Sequence, residues 1–324
     1  MKTGKKVIFV GGASYSGTTL LDMMLSNNPD GFSCGELIGI FYPRRRHHIE
    51  YLCGCGKPDC RVWPSAISLG PSPVYKRIFE QFPNVRYIVD SSKDPGWIRR
   101  RAADLHVQGI GVTHVLIWKA PRAFQESWIK RTRPAAWLRA WSHYHLVYAA
   151  LIKNWFSISY SDLVNRPDAL KLLCERLGIP FHEGQARYWE KVQHTLFGNS
   201  SAKVHLYGKD SAAYSACITD MAQNQHREAA DVRSVPDEMH RTIYQEAGSR
   251  SREAVPELPS DGVEGRLLQV LRAHDVLQEA PTPRYPFSIT PLDRLKVPVL
   301  RAWWAARRRL ESLLTRVSLC LSER

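Results

Sequence analysis

Residues 6–28 read KVIFVGGASYSGTTLLDMMLSNN, and this stretch decides the fold class. The apolar run Lys6–Val10 predicts a buried strand, and the glycine- and serine-rich residues Gly11–Gly17 predict a loop. Four apolar side chains then recur at helical spacing, so a helix is expected from Thr18 to about Asn27. A strand, a glycine-rich loop and a helix in this order are typical of the start of a nucleotide-binding α/β unit.

Three later apolar runs predict further strands of the same sheet, Val85–Val89, Thr113–Trp118 and Phe156–Tyr160. The first two precede helical stretches, which favours parallel strands with connecting helices. The predicted fold is therefore a three-layer α/β domain with a central, mostly parallel sheet. We expect functional residues just past the carboxyl ends of the strands.

The helices around the last predicted strand carry separate signals. Between residues 134 and 153, large side chains recur at spacings of three and four on one helical stripe, which favours core packing over a shelf for a ligand. The stripe consists of Trp137, Trp141, Tyr144, Tyr148 and Leu151. After the strand, Asp162 is predicted as the N-cap of a helix Leu163–Leu177 that ends at Gly178.

The chain has 324 residues, of which 44% are hydrophobic and 23% are charged, an ordinary globular composition. This excludes long disordered, collagen-like and disulfide-stapled chains. The 45 Lys and Arg against 31 Asp and Glu give a net charge of +14, which favours anionic partners. Nucleic acid is not expected as a partner, because no helix-turn-helix, zinc-finger or RNA-binding signature occurs.

The chain has no run of about 18 apolar residues, and its seven cysteines cannot all pair internally, so a cytoplasmic protein is expected. Residues 1–275 are interpreted as the main domain and 276–324 as a basic amphipathic extension. Residues 294–324 hold eight Lys or Arg and two Asp or Glu. Such a tail could bind the acidic surface of the inner membrane. Docking of the tail on its own domain or on a partner is the alternative, and the choice stays open.

Residues 12–19 have the four-residue gap of a P-loop, in which backbone N–H groups converge on phosphate oxygens. The lysine that serves the β- and γ-phosphates in such loops is missing, because Thr18 stands in its place. A kinase with this loop would lack its main cation for the β- and γ-phosphates. This P-loop-like segment therefore suits a ligand with a shorter anionic group. A glycine-rich turn without a ligand is the simpler alternative.

Ser16–Leu21 resembles the 5′-phosphosulfate loop of sulfotransferases that use 3′-phosphoadenosine 5′-phosphosulfate (PAPS). Leu25–Pro29, followed by Cys34-Gly35-Glu36, is similar to tyrosylprotein sulfotransferases and to bacterial glycan-type relatives. The resemblance covers about residues 6–205. It implies that Glu36 is the general base that takes the proton from the acceptor hydroxyl. It also implies that the following residues hold the 5′-phosphosulfate: Tyr15, Ser16, Gly17, Thr18 and Thr19.

Two further segments resemble the same family. Asp90–Pro95 is similar to its Asn-Lys-Asp-Pro segment, which implies that Lys93 lies near the transferring sulfuryl group. Gly198–Ser201 is weakly similar to a late cofactor-side segment of the bacterial relatives. The plainer interpretations are a surface carboxylate at Glu36 and a charge at the start of a helix at Lys93.

The resemblance implies a 3′-phosphate site where the family has an arginine and, eight residues later, a serine. Ser127 matches the serine, and Lys119 stands in place of the arginine. A lysine keeps the positive charge but cannot form the two parallel hydrogen bonds that an arginine makes to a phosphate. Arg131 matches a further phosphate-contacting arginine. Tyr160 matches a tyrosine beside the nucleotide, with a core tyrosine as the alternative. Tyr15 is a second departure, because Lys or Arg is usual at that position.

Residues 53–60, CGCGKPDC, are rich in cysteine, but their spacing fits no common structural zinc pattern well. A reduced cluster that stabilises the loop is favoured. A metal site with His47 or His48 as the fourth ligand and a disulfide are the alternatives. The basic run Arg44–His48 is interpreted as a solvated surface or as a contact for an acidic acceptor.

The expected function is transfer of the sulfuryl group of PAPS to an acceptor hydroxyl, with a carbohydrate or glycoconjugate favoured as the acceptor. In this reaction a carboxylate takes the proton, and a cation stabilises the negative charge that develops on the leaving phosphate. No residue is assigned as a metal ligand. A P-loop-type small-molecule kinase and a catalytically inactive nucleotide-binding protein are the alternatives.

Overall fold

The computed structural model describes residues 4–129, 137–224 and 262–278. Its strands are β1 Lys6–Gly11, β2 Gly31–Gly35, β3 Tyr87–Asp90, β4 Gly111–Trp118 and β5 Trp155–Ser159. They form one sheet in the order β2-β3-β1-β4-β5, and every neighbouring pair is parallel. The three later predicted strands are confirmed as β3, β4 and β5, with bounds that differ by no more than two residues.

Helices connect the strands, as parallel neighbours require. They are α1 Thr18–Ser26, α2 Ile38–Phe41, α3 Val62–Ile67, α4 Val74–Gln81, α5 Pro95–Val107, α6 Pro121–Ile129, α7 Trp137–Leu151, α8 Tyr160–Asn165, α9 Ala169–Leu177, α10 Ser200–Lys203, α11 Ala212–Asn224 and α12 Val263–Ala273.

The side chains of β1 alternate between two apolar cores on opposite faces of the sheet. Val7 and Phe9 belong to the core that includes side chains of α4, α5 and α7. Ile8 and Val10 belong to the core that includes side chains of α1 and α9. All four side chains are fully buried, as expected for a strand in the middle layer of three. The predicted three-layer α/β fold is therefore confirmed.

Strand β2 is not predicted by the sequence, because its five residues, GFSCG, lack an apolar run. It is held by pairing with β3 and by the buried carboxylate of Asp22 on α1. This carboxylate accepts hydrogen bonds from Ser33 at 2.5 Å and from Ser91 at 2.6 Å. Burial raises the pKa of Asp22 to about 7, although the two hydroxyl hydrogen bonds lower it.

The prediction of one helix over Leu163–Leu177 with Asp162 as its N-cap is wrong. Ser159 caps α8 instead, and its hydroxyl accepts a 2.9 Å hydrogen bond from the N–H of Asp162. Pro167 then separates α8 from α9, because it disfavours helical conformation in the residue before it. Gly178 ends α9 in the left-handed conformation, with a φ of 62°, as predicted.

The aromatic stripe on α7 is confirmed as core packing, since Trp141, Tyr144 and Tyr148 are buried. Arg131 lies outside the described residues, as does the extension beyond residue 278, so their predicted roles stay predictions. Within the described ranges, no helix has both the length and the apolar character needed to cross a membrane.

Candidate active site

The loop between β1 and α1 has the shape of an anion cradle. Tyr15 and Gly17 both adopt left-handed backbone conformations, with φ angles of 70° and 99°. The helix that follows begins at Thr18 without a side-chain cap, and an uncapped helix N-terminus leaves N–H groups for an anion or for water. The buried hydroxyl of Ser16 has no hydrogen-bond partner among the described residues.

The ring of Tyr160, the first residue of α8, packs directly against this loop. A Cβ atom on Gly17 would lie only 2.5 Å from that ring, so a larger residue does not fit here. Tyr160 begins a helix rather than ending a strand, which corrects the predicted bound of β5. Tyr160 therefore lies beside the loop, and its predicted place next to the nucleotide stays a prediction.

Lys119 follows β4 and lies beside the same ring, with its Nζ atom 4.3 Å from the ring centroid of Tyr160. The Lys119 ammonium donates a 2.9 Å hydrogen bond to the hydroxyl of Ser127 on α6. The carbonyl oxygen of Lys119 accepts a 3.0 Å hydrogen bond from the indole of Trp141, which anchors the backbone at the strand end. Three of the residues assigned to nucleotide binding therefore meet next to the loop.

The ring of Tyr15 contacts helix α6. It packs edge-on against Trp128, with the centroids 6.0 Å apart. A phenol adds a neutral donor and no charge, so this position does not replace the basic residue of the resembling family.

Glu36 and Lys93 form an ion pair at the carboxyl ends of β2 and β3. The Lys93 Nζ atom lies 2.5 Å from Oε1 of Glu36, and the two side chains are 19% and 24% exposed. Because β2 and β3 are parallel neighbours, their carboxyl ends lie side by side and bring these two residues together. The sequence named both residues separately, and the structure places them in contact.

Two opposing effects act on the carboxyl group of Glu36. Burial alone would raise its pKa, but the Lys93 ammonium, by charge and by hydrogen bond, brings the pKa below its usual range. The positive charge of Arg44 acts in the same direction with smaller effect. Glu36 is therefore a carboxylate at neutral pH, able to accept a proton and paired with a cation.

Lys93 has a left-handed backbone conformation, with a φ of 64°, which is uncommon for a residue with a side chain. Tyr144 on α7 holds this conformation, since its hydroxyl donates a 2.6 Å hydrogen bond to the carbonyl oxygen of Lys93. The same hydroxyl accepts a 2.8 Å hydrogen bond from the N–H of Gly12. Tyr144 thus connects the loop between β1 and α1 to Lys93, a contact that its place in the core stripe does not reveal.

Residues 194–199 form a second connection that the sequence indicated only through the weak similarity of Gly198–Ser201. The N–H of Glu36 donates to the carbonyl oxygen of Leu196 at 2.9 Å, and the N–H of Leu196 donates to Cys34 at 3.0 Å. The N–H of Asn199 donates to the hydroxyl of Thr19 at 3.0 Å. This segment therefore links the backbone at Glu36 to the start of α1.

Basic and aromatic side chains lie beside Glu36. The rings of His47 and His48 pack on Phe197, at centroid distances of 6.0 and 4.7 Å. Burial, with His47 as a further cause, lowers the pKa of His48 to about 4, so this imidazole is neutral at physiological pH. The cysteines of residues 53–60 lie beside His194 rather than beside His47 or His48, so the alternative of a metal site completed by His47 or His48 is wrong.

The solved structures that are similar to this chain include two sulfotransferase domains. The domain from the curacin biosynthetic pathway aligns with a TM-score of 0.47 and 16% identity, over 78% of this chain and 99% of that domain. The domain from the olefin synthase of Synechococcus PCC 7002 aligns with a TM-score of 0.41 and 17% identity, over 79% of this chain and 99% of that domain. No protein-family profile and no curated protein matches the chain.

Proposed function

We propose that the protein transfers the sulfuryl group of PAPS to a hydroxyl group, with a carbohydrate or glycoconjugate as the acceptor. The proposal rests mainly on the Glu36–Lys93 ion pair. Tyr144 connects this pair to the loop between β1 and α1 through its hydrogen bonds with Lys93 and Gly12. A proton acceptor, a cation and an anion cradle are thereby held in one rigid arrangement. These are the three elements that sulfuryl transfer requires.

The donor fits the residues around the loop. The N-terminus of α1 and the loop N–H groups suit the 5′-phosphosulfate, since they supply donors without a full charge. Lys119 and Ser127, already hydrogen-bonded to each other, form a cationic and a hydroxyl donor for the separate 3′-phosphate. The absence of a lysine at position 18 disfavours ATP, whose β- and γ-phosphates would lack a cation.

In the proposed reaction, the carboxylate of Glu36 takes the proton of the acceptor hydroxyl. The acceptor oxygen forms a bond to sulfur while the bond between sulfur and the bridging phosphate oxygen breaks. The products are the sulfate ester and 3′,5′-adenosine bisphosphate. The Lys93 ammonium stabilises the negative charge that develops on the bridging oxygen, and a base such as Glu36 contributes about 10²–10⁴-fold to such rates.

The acceptor side supports a glycan, on two observations. The exposed ring of His47, which packs on the buried Phe197, is of the kind on which sugar rings pack. Arg44 lies close enough to lower the pKa of Glu36, and its charge suits an acidic sugar such as a uronic acid. A peptide tyrosine and a small alcohol are the acceptors that an assay should compare with it.

Calorimetry with 3′,5′-adenosine bisphosphate, and separately with ATP and Mg²⁺, tests the donor. Micromolar binding of the bisphosphate without binding of Mg-ATP supports the proposal, whereas the reverse result supports a kinase. Incubation with ³⁵S-labelled PAPS and a panel of neutral glycans, uronic-acid glycans, tyrosine peptides and small alcohols then tests transfer. Bisphosphate binding without transfer to any member of the panel would support an inactive nucleotide-binding protein.

A further inference from the structure

Four metal-ligating side chains meet at one point away from the proposed reaction site: Cys53, Cys55, Cys60 and His194. One ligand atom from each residue lies within 4.8 Å of the ligand atoms of the other three. The Nδ1 atom of His194 lies 3.4 Å from the sulfur of Cys53 and 3.6 Å from the sulfur of Cys60. All described cysteines are free thiols, so no disulfide occupies this cluster.

These distances match the edges of a tetrahedral zinc site. Zinc binds thiolate sulfur at about 2.3 Å and imidazole nitrogen at about 2.0–2.1 Å, which separates sulfur from nitrogen by about 3.6 Å across a tetrahedron. The two sulfur–nitrogen distances, 3.4 and 3.6 Å, lie close to this value. Three thiolates and one imidazole also form one of the ligand sets that zinc prefers in structural sites.

The backbone around the cluster is built for close approach. A Cβ atom on Gly54 would lie 2.6 Å from the side chain of Thr195, so only glycine lets the two segments come this near. The N–H of Gly54 donates a 2.8 Å hydrogen bond to the carbonyl oxygen of Thr195. Gly56 turns the chain in the left-handed region, with a φ of 72°, and directs residues 57–60 back toward His194.

Two contacts hold His194 in place, one through its ring and one through its backbone. Its ring stacks on Phe32 with an interplanar angle of 8°, and its carbonyl oxygen accepts a 2.9 Å hydrogen bond from the indole of Trp63. Lys57 and Arg61 line the same surface depression as Cys55, Cys60 and His194. Their charges suit a site in which three thiolates and one Zn²⁺ leave a net negative charge.

We propose that Cys53, Cys55, Cys60 and His194 bind a structural Zn²⁺ ion. Four protein ligands complete a tetrahedron and leave no position for a water or a substrate, so the ion stabilises the fold rather than taking part in a reaction. The site joins residues 53–60 to a segment distant in sequence. This proposal does not depend on sulfuryl transfer.

The ion would act on Glu36 through the chain. His194 is followed by Thr195 and Leu196, and the carbonyl oxygen of Leu196 accepts the hydrogen bond from the N–H of Glu36. Zinc at His194 therefore positions the segment that supports Glu36. None of the four ligands is expected to touch the donor or the acceptor.

Metal analysis of the purified full-length protein is the first test. After expression with added zinc and gel filtration, about one zinc per chain is expected by mass spectrometry. Replacement by Co²⁺ should give the intense visible bands of tetrahedral cobalt together with sulfur-to-cobalt charge-transfer absorption. A protein that is folded by circular dichroism, retains no zinc and gives octahedral cobalt spectra would overturn the proposal, as would a disulfide between cluster cysteines in a freshly prepared sample.

Variants separate the site from a general effect on folding. Cys60→Ser should lose at least tenfold in zinc affinity, whereas Cys217→Ser, at a buried cysteine outside the cluster, should retain the metal. His194→Cys supplies a fourth thiolate and should retain zinc, with altered cobalt charge-transfer bands, because four-cysteine sites are common. Equal zinc content in Cys60→Ser and the parent chain would contradict the assignment.

Discussion

The ammonium of Lys93 lies 2.5 Å from a carboxylate oxygen of Glu36, although the two residues are 57 positions apart in the chain. The parallel pairing of β2 and β3 brings them together. A hydrogen bond from the hydroxyl of Tyr144 to the carbonyl oxygen of Lys93 fixes the backbone at Lys93. In the proposed reaction, both groups serve one transfer. The carboxylate accepts the proton, while the ammonium stabilises charge on the leaving group.

Replacing Glu36 tests the base. Glu36→Gln keeps the shape of the side chain and removes its ability to accept a proton, so kcat should fall by about 10²–10⁴-fold. Binding of 3′,5′-adenosine bisphosphate should change little. The measurement is PAPS turnover together with calorimetry. Glu80→Gln, at an exposed carboxylate paired with Arg77, is the matched control and should leave turnover intact. Unchanged turnover in Glu36→Gln would remove Glu36 from the mechanism.

The pH profile tests the coupling between Lys93 and Glu36. The pKa of Glu36 lies below its usual range, so the carboxylate is ionised above that pKa and activity should fall only as the pH drops through it. In Lys93→Gln the burial of Glu36 remains while the ammonium is lost, so the pKa should rise. The acidic limb of kcat/KM should then move to higher pH. An acidic limb at the same pH in both proteins would contradict the assigned coupling.

Lys119 should determine affinity for the 3′-phosphate. Lys119→Ala removes a charged donor, and binding of 3′,5′-adenosine bisphosphate should weaken by about tenfold to hundredfold. Binding of 5′-AMP, which lacks that phosphate, should change much less. Arg122→Ala removes a nearby surface charge that pairs with Glu126 and serves as the control. An equal loss of affinity for both nucleotides in Lys119→Ala would place Lys119 elsewhere in the site.

Tyr144 and Tyr148 provide a matched pair on α7. The hydroxyl of Tyr144 bridges Gly12 and Lys93, whereas the buried hydroxyl of Tyr148 has no hydrogen-bond partner among the described residues. Tyr144→Phe should therefore lower the free energy of unfolding by about 1–3 kcal/mol and reduce kcat. Tyr148→Phe should be neutral or slightly stabilising. Urea denaturation and turnover measure both effects, and identical behaviour of the two variants would contradict the bridge.

Alanine variants at Gly17 and Gly70 distinguish the effect of backbone strain from the effect of steric overlap. Both have positive φ angles, 99° and 85°, but a Cβ on Gly17 would overlap the ring of Tyr160, whereas a Cβ on Gly70 would meet no atom within 4 Å. Gly70→Ala should cost about 1–2 kcal/mol in the free energy of unfolding through its backbone alone. Gly17→Ala should cost more and should also weaken bisphosphate binding. Equal destabilisation, with binding intact, would show that Tyr160 does not press on the loop.

Local sequence patterns predicted much of this molecule. The apolar runs that became β3, β1 and β4 lie in the middle of the sheet, where both faces are covered. The run that became β5 lies at an edge of the sheet, but four of its five residues are buried. β2 lacks one, because a buried carboxylate and its hydroxyl donors support it. The predicted helix after β5 is divided at Pro167, because proline disfavours helical conformation in the residue before it.

The spacing of residues 12–19 predicted an anion-binding loop, and the resemblance of short motifs to a sulfotransferase family implied roles for four more residues. These are Glu36, Lys93, Lys119 and Ser127. Only the tertiary structure decided that Glu36 contacts Lys93, that Tyr144 joins the loop to Lys93, and that His194 completes the cysteine cluster. Such contacts connect positions 50 to 150 residues apart. They depend on how strands and helices pack in three dimensions, which no local spacing records.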